Sequence, residues 1–306
     1  MPKPKANDPL AGWTVLDLAW NNGPNESTAL EPATYDVLRT DTADPLLAAI
    51  KARLAETASP ARLDRLELVG LGFHWPNASL VHRLHNTLGY NPVRLGLYSE
   101  ATGAGDHAAL PDQRRFAPLL PSYRSPLADL LGQRLIATGV PIEQIDPGLR
   151  PGDLTLLANT KSGLLYENQR ALPRALFAGE SRAVDFDELL RTGAWPNADL
   201  SRTVLLSAGT KDAGPAPANG TATIVSYRNT EVVLAIEANG PGFAVLNDPW
   251  QPWWEAELDG VPAPILRANV LFRAVAVPAG RHTVRFVFRP FAGAWRALVR
   301  HFSRSS

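Results

Sequence analysis

The chain has 306 residues, 45% of them apolar and 20% charged, and its 30 basic side chains balance 30 acidic ones. That balance excludes a disordered polymer and a broadly basic nucleic-acid binder, and the length accommodates about two domains. With no cysteine in the chain, disulfides, thiolate catalysis and cysteine-held zinc or iron–sulfur centres are excluded too.

The opening MPKPKANDPLAGW has no apolar segment of the kind a secretory signal needs, and no stretch reaches the roughly 18 consecutive apolar residues of a membrane span. The 23 glycines and 27 prolines point to short elements joined by many turns rather than to a helical bundle. Asp44 followed by Pro45 supplies an N-cap carboxylate and a first-turn proline, and Leu46, Leu47, Ile50 and Leu54 recur at helical spacing, which predicts an amphipathic helix over 45–57. A strand is predicted at 66–71. A helix follows over 77–89, with Leu80, Leu84 and Leu88 as its buried stripe and His82 and His85 facing solvent. Ser125 and Pro126 repeat the capping device before Leu127, Leu130 and Leu131, and LIATG after Gly132 reads as a buried strand. Further strands are expected at 154–157, 164–166, 175–177 and 204–206, with a helix at 186–190. Together these predict a mixed α/β domain over 1–210.

Apolar periodicity then stops in GTKDAGPAPANG, where residues 211–220 read as a linker. Beyond it the period changes to two, through Ile224, Val232, Leu234, Ile236, Phe243, Val245, Val284, Phe286 and Phe288. The turn pairs Asn239-Gly240, Asp259-Gly260 and Ala279-Gly280 punctuate these runs, which predicts an antiparallel, immunoglobulin-like β-sandwich over 221–290 and an α+β chain as a whole. In the tail, 291–306, Trp295, Leu298, Val299 and Phe302 share one helical face while Arg296, Arg300 and Arg304 add positive charge. This is a helix packed across the sandwich, a frayed remnant of a lost membrane span, or a contact with a membrane surface.

Two clusters pair an indole with carboxamides: Trp20 with Asn21, Asn22 and Asn25, and His74 and Trp75 with Asn77. An indole packs on the C–H face of a pyranose while amides bond its hydroxyls, so both are candidate glycan contacts. The competing reading makes both tryptophans core and the asparagines caps or Asx turns. GAGDH places Asp106 and His107 on a glycine-rich loop, for ligand contact or for plain turn chemistry. Trp250, Trp253 and Trp254 form another aromatic patch, in which alternation should bury one of the adjacent pair. The six histidines show no zinc-protease spacing, and no phosphate loop, dinucleotide fingerprint or nucleophile elbow occurs. No catalytic residue, metal or cofactor is therefore assigned.

The segment FAVLNDPWQPWWEAELDGVPAPILRANVLFRAVAVPAGRHTVRFVFRP, residues 243–290, resembles the C-terminal signature of YfhO-type bacterial membrane proteins. Trp254, Asp259, Gly260, Arg267, Ala268, Asn269, Arg273, Gly280, His282, Val284, Phe286, Arg289 and Pro290 fit that signature in order. Upstream, NASLVHRLHNTLGYNPVRLGLY and YENQRALPRALF resemble soluble-region elements of the same family, so the likeness spans residues from about 15 to 290. It implies kinship with the GT-C class of polytopic glycosyltransferases, which transfer sugar from a polyprenyl-phosphate donor to a cell-envelope acceptor. The membrane helices and the catalytic carboxylate of that class have no counterpart here. The resemblance thus implies a non-catalytic extracytoplasmic region that binds or orients an envelope glycan or lipid-linked acceptor beside a membrane-embedded glycosyltransferase portion of the same or a neighbouring chain. The expected location is the extracytoplasmic face of the bacterial membrane if such a portion is attached, and the cytoplasm if the chain is complete as given; no nucleic-acid partner is expected. Two other readings stand beside it: a free-standing carbohydrate- or protein-binding sandwich, and a small soluble hydrolase using Asp106 and His107.

Overall fold

The computed structural model describes residues 9–21, 32–89, 95–103, 108–208, 218–291, 293 and 295. Helix α1 (Pro9–Asn21) displays Trp13, Val15, Leu16, Leu18 and Trp20 to solvent. Helix α2 (Pro45–Glu56) starts where the sequence predicts, because the Asp44 carboxylate accepts from the Leu47 amide at 2.9 Å, a cap that contributes about 1 kcal/mol. Its Leu46, Leu47 and Ile50 pack on a mixed sheet of β1 (Arg65–Val69), β2 (Gln133–Thr138), β3 (Thr155–Thr160) and β4 (Gly163–Glu167), in the order β1-β2-β4-β3. Only the β1–β2 pair of this sheet is parallel.

Among the described residues, three short α-helices lie between β1 and β2: α3 (Trp75–Val81), α4 (Gly96–Thr102) and α5 (Pro126–Leu130), the last capped by the Ser125 hydroxyl at the Leu127 amide. The helix expected over 77–89 is corrected: α3 stops at Val81, and Leu80 is 79% exposed instead of buried. The free edge of β1 competes for this chain. The Leu66 amide donates to the His85 carbonyl and the Thr87 amide to the Leu66 carbonyl, so residues 85–87 run along β1 instead of continuing the helix. A buried network centres on Glu67 of β1, with Arg114 Nε and the Tyr123 hydroxyl each 2.6 Å from its carboxylate and Thr87 and Gln133 donating to the same group.

The rest of the chain builds two facing sheets. One contains β5 (Ala175–Ala178), β6 (Glu180–Val184), β7 (Thr203–Ser207), β10 (Gly242–Leu246), β13 (Leu266–Ala268) and β14 (Phe272–Val277), ordered β5-β10-β14-β13-β7-β6. The other is fully antiparallel: β12 (Val261–Ala263), β11 (Trp254–Leu258), β15 (Gly280–Phe288), β9 (Glu231–Ala238) and β8 (Gly220–Arg228), paired in that order. Phe177, Leu246 and Val275 from the first sheet meet Val232, Leu234, Ile236 and Phe286 from the second in one buried cluster. Each such side chain contributes about 1.5–3 kcal/mol on burial. Helix α6 (Phe186–Thr192), capped by Asp185, closes a further cluster with Leu127, Leu205 and Phe272.

The chain is α+β, but the segment 211–220 does not separate one sheet from the next. Strands β5, β6 and β7 from before it share a sheet with β10, β13 and β14 from after it, and β6 pairs with β7 in parallel. Long-range pairing overrides the compositional break, because an unpaired strand edge left beside β10 would strand its backbone groups. The two edge strands, β5 and β6, are separated by Gly179 alone, so the sheet curls until its ends meet. At that joint a side chain on Gly179 would overlap the Ala218 carbonyl oxygen. No helix among the described residues is long and apolar enough to cross a membrane.

Candidate functional site

An open cleft of about 480 Å³ lies where the four-stranded mixed sheet meets the paired β layers. Its walls come from distant segments of the chain. Arg65 opens β1, His85 and Asn86 run along that strand's edge, Arg174 leads into β5, and Tyr227 sits near the end of β8. Asp248 follows β10, Trp254 begins β11, Arg273 sits within β14 and Phe288 ends β15. Register brings them together: Arg273 is opposite Leu246, two residues before Asp248, and Trp254 is opposite Phe288. The Asn247 amide donates to the Arg174 carbonyl, which ties the Asp248 loop to the approach of β5.

Asp248 is the hub. Its carboxylate lies 2.5 Å from Arg65 Nη2, 3.8 Å from Arg174 Nε and 3.4 Å from Arg273 Nη2, and it accepts from the Tyr227 hydroxyl at 2.9 Å. Burial pushes this carboxyl up, but Arg65, Arg174 and Arg273 outweigh that and hold it below the ordinary aspartate range. Burial pushes the guanidinium groups of Arg174 and Arg273 down to about 10, so both stay charged at neutral pH. Burial, and then Asp248, raise the Tyr227 phenol, which stays neutral. His85 stands at the exposed rim; lost solvation, then Arg174 and Arg65, lower its ring to about 4. The cleft therefore holds three guanidinium cations against one carboxylate.

The cations are rigidly set. Arg273 has Trp254 stacked 3.7 Å from its guanidinium carbon and Phe286 at 5.3 Å, and Arg174 lies 5.1 Å from the Tyr227 ring. Aromatic faces satisfy charge but do not accept every N–H. Arg174 Nε and Nη2, Arg273 Nε and Nη1, and Asn86 Nδ2 are all buried without a hydrogen-bond partner. Each such donor costs about 1–3 kcal/mol, more where it is charged. All of these unpartnered atoms are donors, so the arrangement is complementary to a ligand rich in acceptors and negative charge.

The residues singled out in the sequence are mostly elsewhere. Trp75 is 8% exposed in the core with Leu46 and Leu66, which removes its faces from glycan contact. His74 packs 4.5 Å from the Tyr35 ring, and the Asn77 amide donates to the His74 carbonyl; neither lines the cleft. Trp20 is 89% exposed on α1. The Asn21 side chain, Asn22, Asn25, Asp106 and His107 lie outside the described residues, as does the tail beyond Trp295. Of the aromatic patch, Trp254 alone lines the cleft; Trp253 and Trp254 are both half-buried against Phe288, so alternation does not bury one and free the other. His82 does not face solvent freely, since its Nε2 meets the Val37 carbonyl at 2.8 Å.

No sequence motif marks the arginine cleft, and motif reasoning misses it. A signal was present: Arg273 interrupts the apolar strand LFRAVAV and Arg174 directly precedes ALFA, and a lone cation in an apolar strand must find a buried partner. Compared with known protein families, characterised proteins and solved structures, the chain matches none. Several polar positions within 243–290 have structural roles here. Asp259 and Gly260 form the β11–β12 turn with positive φ, Asp259 holds His282 at 2.7 Å, and the Asn269 amide oxygen accepts from the Leu205 amide. Trp254 and Arg273, from the same stretch, line the cleft.

Proposed function

We propose that this chain is a binding module that holds an oxyanion-bearing ligand in the arginine cleft and performs no chemistry by itself. The observation that carries the reading is the set of buried, unpartnered donors on Arg174, Arg273 and Asn86 around an excess of positive charge. An oxyanion supplies both the missing acceptors and the missing charge. Asn229 and Gln251 on the same walls offer carboxamides for hydroxyl groups, and Trp254 and Phe288 offer apolar surface, as a glycan bearing an anionic group requires. The likeness of residues 243–290 to YfhO-type proteins supports a cell-envelope setting. There the module orients an anionic glycan or lipid-linked acceptor beside a membrane-embedded glycosyltransferase portion at the extracytoplasmic face. An immunoglobulin-like sandwich belongs to this proposal, supported by the face-to-face cluster of Phe177, Leu234 and Phe286.

The test is calorimetric titration of acetate, sulfate and orthophosphate in low-chloride buffer. At least one should bind, and Arg174→Gln should abolish the heat. Asn86→Ala, which removes one donor from a half-buried position, should weaken binding about three- to tenfold without unfolding the protein. Absence of binding by all three anions refutes the proposal.

A further inference from the structure

The identity of the anion follows from the charge and donor count, on the reading of the cleft given above. We infer that the cleft is built for a phosphomonoester in its doubly ionised form, rather than for a carboxylate or a sulfate ester. Arg65, Arg174 and Arg273 face Asp248 alone, with His85 and Tyr227 uncharged, so two positive charges are left in excess. A monoanion leaves one guanidinium buried and uncompensated, whereas a dianion leaves none. Valence points the same way. The free donors sit on three side chains, Arg174, Arg273 and Asn86, and a phosphomonoester presents three strong acceptor oxygens where a carboxylate presents two. Asp248 already accepts from Arg65 on one oxygen and from Tyr227 and Arg273 on the other, so most of its acceptor capacity is taken before a P–OH group could donate to it.

The cleft also lets ligand ionisation be read without interference. Its ionisable groups are Arg65 from β1, His85 from the β1 edge, Arg174 before β5, Tyr227 from β8, Asp248 after β10 and Arg273 from β14. In the ligand-free cleft His85 at about 4, Asp248 below the ordinary range, Tyr227 above its own, and Arg174 and Arg273 at about 10 each keep one charge state between pH 5 and pH 8. The second ionisation of a phosphomonoester, at about 6, is then the one that changes.

Methyl phosphate and methyl sulfate, both tetrahedral but different in charge, are titrated into the protein at pH 5 and pH 8. Methyl phosphate should bind about tenfold tighter at pH 8, the ratio of its dianion fractions, and at least tenfold tighter than methyl sulfate there. Equal, pH-independent binding of the two esters, or of acetate, overturns this inference while leaving an anion cleft in place. No binding by any of them overturns the cleft reading itself. Glucose 1-phosphate in solution and phosphatidate in vesicles then separate a sugar-borne from a lipid-borne phosphate; competition by either with methyl phosphate supports the inference, and competition by neither overturns it.

Discussion

Replacing Asp248 with asparagine keeps the shape of the cleft and deletes its single negative charge. The substitution leaves Arg65, Arg174 and Arg273 facing one another, with contacts of 2.5, 3.8 and 3.4 Å to an amide in place of a carboxylate. Breaking a buried ion pair from one side costs about 3–5 kcal/mol, because the remaining charge stays desolvated. Some of that loss is offset, since Arg273 keeps its stacking on Trp254 and the Tyr227 hydroxyl still meets an oxygen. We expect a net loss of about 3 kcal/mol at pH 7, near a 150-fold fall in the folding constant. Urea denaturation followed by fluorescence of the 8 tryptophans measures it without adding ions that screen the cleft. The sign with pH is fixed. The folded carboxyl is lower than its ordinary 3.8, so its contribution is complete above about that pH and is lost as the pH falls through the lower folded value. The difference between wild type and Asp248→Asn should shrink below pH 3.8 accordingly. Asp259→Asn, on a carboxylate 49% exposed and screened by solvent, serves as the control and should change stability far less than Asp248→Asn does. A loss under about 1 kcal/mol for Asp248→Asn would refute the claim that Asp248 offsets buried positive charge.

Three further outcomes test separate steps of the argument. By nuclear magnetic resonance, the His85 ring should titrate near 4 in the free protein, and at pH 8 its ring resonances should shift when methyl phosphate enters the cleft beside Arg174; unmoved resonances place the anion elsewhere. Asp44→Ala removes the acceptor for the Leu47 amide and should lower stability by about 1 kcal/mol in urea, with no change in anion affinity because α2 does not line the cleft. Gly179→Ala forces a methyl group onto the Ala218 carbonyl, and a loss of about 1–3 kcal/mol is expected; a neutral result would mean that the curled sheet is looser at this joint than the close approach to Ala218 shows.

Local chemistry in the sequence was enough for elements whose cause is local. Asp44-Pro45 and Ser125-Pro126 start helices because the capping oxygen and the fixed proline act within one turn, and both helices begin there. Alternation over 231–236 and 284–288 placed β9 and β15, since side-chain period alone decides which face of a strand is buried. What failed was whatever depends on a partner far along the chain. The helix expected over 77–89 lost to the edge of β1, and the break at 211–220 did not divide the sheets because β5 pairs with β10 across it.

The cleft belongs wholly to that second kind. Composition and spacing determined an α+β chain without cysteine, with balanced charge and short elements. They placed Arg65, Arg174 and Arg273 on separate segments with no pattern linking them. Tertiary structure alone brought these cations to Asp248, since strand register sets which residues face one another across a sheet and no local signal encodes pairings with residues 25 to 183 positions away. A charge excess is a property of the assembled cleft, and it exists only once the chain has folded around it.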